Sequence, residues 1–274
     1  MYDMLRKEHW EGRVLVTNRH CPAAPLPDFL REAWDLSHAG TGLFVSAAGT
    51  QAATLPPSRV AALRWDQPWP TPEALAPWLT LVKPAFLVLP SPRYPETPLL
   101  SDQALRRHRT PDPKTLEGLE RLRQLHRPML LDRTCRQIHT LCRAFSGLAI
   151  AVELSASWLS AADQEFFALL GSDLASLPVG YWHDAAQAMM REKSGRTPQL
   201  DLVEDLGKYL LGTHLSDAFE DQDGLACGIG QVPFPALRKL LPSSAVSLLV
   251  LAPGTPAPVL VQSLAFLKQA GWRD

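Results

Sequence analysis

Eight short apolar runs recur along the chain, each separated from the next by a stretch of mixed polarity. They are "RVLVTN" (13–18), "GLFVSA" (42–47), "VAALR" (60–64), "AFLVLP" (85–90), "LAIAVEL" (148–154), "VGYWHD" (179–184), "LLGTHLSD" (210–217) and "SLLVLA" (247–252). Continuous apolarity over a few residues suits strands buried on both faces, as in a parallel sheet. The intervals read mostly as helices. "PDFLREAWDLSHAG" sets Phe29, Leu30, Ala33, Trp34 and Ser37 along one stripe and stops at Gly40. "TPEALAPWLTLV" opens with a helix-start signal, and Pro77 inside it is expected to bend or split the helix. "DPKTLEGLERLRQLH" puts Leu116, Leu119, Leu122 and Leu125 at helical spacing, and "LLDRTCRQIHTLCRAFSG" continues the pattern to Gly147. Eight strands alternating with helices in 274 residues predict an α/β fold, a single (β/α)8 TIM barrel over residues 1–274. A doubly wound open sheet is the alternative. The count of eight favours the barrel, as does the lack of a Gly-rich phosphate loop after the first strand.

The formal net charge of −1 supplies no global field toward nucleic acid or an anionic membrane, so neither partner is expected. The opening "MYDMLRKEHWEGR" carries charge throughout, and no segment approaches the roughly 20 apolar residues needed to span a bilayer. A cytoplasmic location is the expectation. The four cysteines (Cys21, Cys135, Cys142, Cys227) show no metal-finger spacing. Cys135 and Cys142 fall two helical turns apart, too far to bridge easily, and read as small apolar residues.

In a barrel the chemistry lies where the strands end at their C-terminal side. The later strands end on Glu153, on His183 and Asp184, and on His214 and Asp217, followed by the Gly-x-Gly turn of "DQDGLACGIGQVPF". Carboxylates and an imidazole on three successive strands could converge on a hard or borderline divalent cation. Because side chains alternate along a strand, only one of His183 and Asp184 can face the axis. Asp184 is also placed to cap the helix that follows. Asp217 could hold the loop after it or touch a ligand.

The order Glu153, "VGYWHDAAQA", "THLSDAFEDQDGLACGIGQVPF" resembles the xylose isomerase-like TIM-barrel superfamily, which includes sugar isomerases and epimerases and endonuclease IV-type AP endonucleases. The likeness covers the C-terminal half well and the N-terminal half only in its βα rhythm. It implies a Glu ending strand five, an Asp-x-x-His after strand six, a His-Leu-x-Asp on strand seven and a Glu ending strand eight. Carried onto this chain, Glu153, Asp184 and His214 fall on metal-ligand positions, with Glu153 and Asp184 as the acid–base pair. Gln187, His214 and Asp217 fall where substrate would be bound. In epimerase members the ligand His lies two residues later, at Ser216. His183 is then expected to face the helix layer.

The departures bear on the metal. Gln187 stands at the His of Asp-x-x-His, Val250 where the strand-eight Glu is expected, Gly224 at the His before the Gly-x-Gly turn, and Ile229 at the acid within it. Gln187 can hydrogen-bond a hydroxyl but cannot act as a base. With two carboxylates and one imidazole, a Mn2+ or Mg2+ site is expected to be weak or absent, and no organic cofactor is implied.

Two function classes follow. The first is a sugar or sugar phosphate isomerase or epimerase acting on a small polyhydroxy carbonyl compound. The second is a non-catalytic descendant of the barrel that binds a small sugar-like molecule or a protein partner. A DNA-repair endonuclease is disfavoured, since several positions of its multi-metal cluster are missing. Three further features stay open: the basic run Arg106, Arg107, His108, Arg109, read as a solvated charge run before a phosphate site; Trp65, Trp69 and Trp78, a stacking platform or core; and the long interval 91–127, expected over the mouth and helical from Pro113 onward.

Overall fold

The computed structural model of the protein describes residues 14–17, 41–45, 60–65, 69–98, 100, 101, 105, 110–252 and 255–272. Within them run the parallel strands β1 (Val14–Thr17), β2 (Thr41–Val45), β3 (Val60–Trp65), β4 (Phe86–Leu89), β5 (Ala149–Glu153), β6 (Val179–Asp184) and β7 (Leu210–Leu215). An antiparallel hairpin follows, β8 (Asp217–Phe219) with β9 (Gln222–Leu225), and then the last barrel strand, β10 (Val246–Leu249). The parallel strands close in the order β1-β10-β7-β6-β5-β4-β3-β2, with β1 paired to both β10 and β2. The (β/α)8 barrel is therefore the fold. Closure leaves no edge strand, which an open sheet would have.

The helices are α1 (Pro72–Val82), α2 (Pro113–Ala144), α3 (Gln164–Asp173), α4 (Ala185–Lys193), α5 (Gln199–Leu206), α6 (Phe234–Leu240) and α7 (Ala257–Gln269) among the described residues. Several start as their sequences dictate. Thr71, Asp112, Asp163 and Asp184 each accept a hydrogen bond from the backbone N–H three residues on. Pro77 does not split α1, and Pro128 lies inside the continuous α2. Each proline and the residue four before it (Glu73, Gln124) are exposed, so water can take the carbonyl that loses its intrahelical donor. The helix expected over 27–40 and the basic run 106–109 lie outside the described residues, as does Cys21.

Alternation along the strands builds two apolar layers. Ala62, Val88, Ala151, Trp182, Val246, Leu248 and Val250 pack inside the barrel. Leu63, Leu87, Leu89, Ile150, Val152, Tyr181, Leu215 and Leu249 face outward and join the core shared with the helices. Trp182 fills the barrel interior, and the absence of a side chain at Gly212 makes room for it, since a Cβ there would meet the indole. Trp65, Trp69 and Trp78 belong to the outer core, and Trp69 donates its indole N–H to the Pro90 carbonyl. All three therefore pack with that core.

The interval after β4 begins alongside the loop that follows β5. Arg93 bridges to Ser160, the Tyr94 N–H donates to the Leu159 carbonyl, and the Ala161 N–H donates to the Pro92 carbonyl. Helix begins at Pro113, as the sequence suggests, and runs without interruption to Ala144. Emptying the barrel interior should be costly. Trp182→Ala should lower stability by roughly 3–5 kcal/mol in urea-induced unfolding, the range for truncating a buried aromatic side chain.

Candidate functional site

The inner faces of β5, β6 and β7 end on Glu153, Asp184 and His214. Register explains why they meet: Glu153 lies level with Trp182, and Asp184 lies level with His214. His214 Nδ1 stands 2.6 Å from Glu153 Oε1 and 3.7 Å from Asp184 Oδ2. One ligand-type atom from each of the three lies within 4.8 Å of the others. Glu153 and His214 are buried, and the Asp184 side chain is 15% exposed. The Trp182 indole flanks the imidazole, with ring centroids 5.4 Å apart.

A fourth residue completes the cluster, and sequence reasoning passed over it. Arg64, near the end of β3, directs Nε (2.9 Å) and Nη2 (2.8 Å) at Glu153 Oε2. Both carboxylate oxygens of Glu153 are thus engaged, one by a guanidinium and one by an imidazole. The signal was present: Arg64 is a charged residue closing an apolar strand, two places after the inward-facing Ala62.

Burial pushes the Glu153 carboxyl upward, but the charge of Arg64, the charge of His214 and hydrogen bonds from both outweigh it, leaving its pKa at about 2. His214 responds in the opposite sense. Burial pulls its pKa down, while Glu153 and Asp184 together raise it above the ordinary histidine value, which favours the imidazolium. Asp184 is raised, first by burial and then by the neighbouring Glu153 charge, against the opposing pull of His214. The two carboxyls are therefore pushed in opposite directions, Glu153 toward the ionised form and Asp184 toward the protonated one.

The remaining expected positions are spent on structure. Asp184 Oδ1 caps α4 through the Gln187 N–H (3.0 Å) while Oδ2 faces His214. The Gln187 side chain accepts from the Ala156 N–H (2.8 Å) and donates to Asp223 Oδ2 (2.5 Å), tying the loop after β5 to β9. Asp217 accepts from the backbone N–H groups of Ala218, Gly228, Gly230 and Val232 at 2.8–3.0 Å. Four donors saturate a carboxylate. Asp217 is thus the clasp of the Gly-x-Gly loop, one of the two roles its sequence position left open. Of the two glycines of that turn, only Gly228 adopts a positive φ (95°). Gly230 is needed for close approach instead, because a Cβ there would strike the Asp217 carboxylate and the Ala218 carbonyl.

His183 faces the helix layer, as alternation requires. It is fully buried, its Nδ1 lies 2.6 Å from the Tyr181 hydroxyl, and burial drives its pKa down to about 3. Val250, at the position expected for a strand-eight carboxylate, packs with the barrel-interior cluster. Buried Ser216 sits two residues beyond His214, and His214 is the one that reaches Glu153. Arginines also fix the loop after β5. Arg191 donates to the Ser155 and Ala162 carbonyls, Arg196 to those of Ala156 and Ser157, and Arg123 to that of Trp158.

The donor set for a divalent ion can now be weighed. Three donor atoms are close enough to share a small cation. Against this, Glu153 is already paired with Arg64, the Val250 side chain offers no lone pair, and the Gln187 amide is committed elsewhere.

The sign of the pH dependence follows from the Glu153 shift. Its folded pKa is depressed, so its stabilisation is complete above pH 4.5, the ordinary value, and is lost as pH falls from there toward about 2. Glu153→Gln should cost roughly 3–5 kcal/mol at pH 7, because it leaves Arg64 without its buried counter-charge. The gap between wild type and variant in urea midpoint should shrink as pH is lowered through that window. A gap that is constant with pH would contradict the assignment.

No protein-family model matches the sequence, and no curated protein matches it significantly. Solved structures match it in shape. The 3-keto-D-glucoside 4-epimerase YcjR from E. coli superposes with a TM-score of 0.63 at 14% identity, over 94% of this chain and 99% of its own. The D-psicose 3-epimerase from Clostridium cellulolyticum H10 gives 0.58 at 11% identity, over 94% and 99%. A xylose isomerase domain-containing protein from Salmonella typhimurium LT2 gives 0.58 at 13% identity, over 95% and 99%. The chain has the fold of the xylose isomerase-like TIM barrels.

Proposed function

We propose that this chain, taken as one domain over residues 1–274, is a sugar isomerase- or epimerase-like protein that binds a small polyhydroxy carbonyl compound at the C-terminal mouth of the barrel. The observation that carries the reading is the convergence of Glu153, Asp184 and His214 within 4.8 Å at the ends of β5, β6 and β7. The fold shared with sugar epimerases supports it.

Moving a proton beside a carbonyl requires a base at the carbon and positive charge where the oxygen becomes negative. Asp184, the carboxyl with the raised pKa, is the better proton carrier. Glu153, held near 2, is a poor base, so its role is to keep His214 cationic and oriented. His214 and Arg64 then supply positive charge at the oxygen. Gln187 and Asp217 act from behind, positioning the loops that frame the mouth.

A second reading has its own support. Because Glu153 and Gln187 are already engaged with protein groups, the barrel could hold a sugar-like ligand or a protein partner without turning it over.

The test is to incubate the protein with aldoses and ketoses, free and phosphorylated, in D2O and follow exchange at the carbon beside the carbonyl by NMR. Exchange should appear for at least one sugar and fall by roughly 10²–10⁴-fold in Asp184→Asn, the usual loss when a general base is removed. Calorimetric binding of a sugar without exchange would select the second reading. Neither binding nor exchange across the panel would overturn the proposal.

A further inference from the structure

We infer that Arg64 holds, at Glu153, the place a divalent cation would need, so that the chain's own guanidinium neutralises the mouth and bars Mn2+ until Arg64 is removed. The inference concerns binding by the three-residue cluster and does not depend on the protein being catalytic.

The geometry is specific. Nε and Nη2 of Arg64 both point at Glu153 Oε2, at 2.9 and 2.8 Å, while His214 Nδ1 engages Oε1 at 2.6 Å. A metal bound to Glu153 would have to compete with these three donors and sit beside a permanent positive charge, because a guanidinium does not deprotonate in proteins. Nothing else in the set makes up the difference. Asp184 already spends Oδ1 on the α4 cap, and Val250 presents only carbon among the barrel-interior side chains. Gln187 donates to Asp223 and accepts from Ala156. Yet the three potential ligand atoms remain within 4.8 Å, so the framework of a cation site is retained. Removing the guanidinium would leave a carboxylate pair beside an imidazole with no counter-charge from Arg64, the condition under which a small hard cation binds.

The experiment titrates the full-length wild type, Arg64→Ala and Arg64→Gln with Mn2+ alone, reading the free ion by electron paramagnetic resonance. The wild type should hold no Mn2+ at micromolar concentration. At least one Arg64 variant should bind a single Mn2+ ten-fold or more tighter, and adding Glu153→Gln should abolish the gain. Arg64→Gln keeps a hydrogen-bond donor for Glu153, so it preserves the test if Arg64→Ala does not fold. Should both variants be marginal, a rise in melting temperature on adding Mn2+ that the wild type lacks supports the inference equally. Stoichiometric Mn2+ in the wild type, or folded Arg64 variants that bind no tighter, would overturn it. Since turnover is not the readout, a failure here is distinct from a failure to find sugar exchange.

Discussion

The Glu153 carboxylate is buried at the mouth of the barrel and is tolerable there only because Arg64 and His214 answer its charge on both oxygens. Unpaired, a buried carboxylate would abandon its charge. Paired, unit charges about 4 Å apart attract by roughly 4 kcal/mol at the effective dielectric of a protein surface, and direct hydrogen bonds add to that. The three partners come from β3, β5 and β7, so the cluster also ties together strands that are not neighbours in the barrel. Trp182, on β6 level with Glu153, fills the interior and lies tilted against the His214 ring.

That arrangement separates the two carboxyls. Burial, and then the Glu153 charge that Arg64 stabilises, raises the pKa of Asp184 while that of Glu153 is lowered, so the two carboxyls are driven in opposite directions. It also redefines the site relative to a metal-centred one. A permanent cation already engages the Glu153 carboxylate, and two of the polar residues around the mouth are committed to protein contacts. Asp217 clasps four backbone N–H groups and Gln187 links two loops.

Much of this was legible in the sequence, for physical reasons that differ by residue. Strands buried on both faces announce themselves as continuous apolar runs, which is why 179–184 and the start at Leu210 coincide with the observed β6 and β7. The strand at "LLGTHLSD" ends earlier than expected, at Leu215, because Asp217 opens a separate hairpin. Glu153, Asp184 and His214 stand out because polar residues near the ends of apolar strands are candidates for the mouth, and alternation separates Asp184 from the outward-facing His183. The same rule identifies Arg64, but the likeness to known barrels directed attention to the C-terminal half. What could not be read was commitment. Whether Gln187 faces a ligand or Asp223, and whether Asp217 binds substrate or its own loop, depends on backbone N–H groups brought near by folding. The Gly230 requirement is of the same kind, set by the approach of Asp217 and not by φ.

The most direct test of this account is a double-mutant cycle between Arg64 and Glu153, using Arg64→Met and Glu153→Gln and measuring unfolding in urea at pH 7. If the guanidinium is the counter-charge of Glu153, the two substitutions should be strongly non-additive, with a coupling of roughly 2–3 kcal/mol, at the upper end for residues in direct contact. Additive effects, within the roughly 0.5 kcal/mol typical of independent sites, would contradict it.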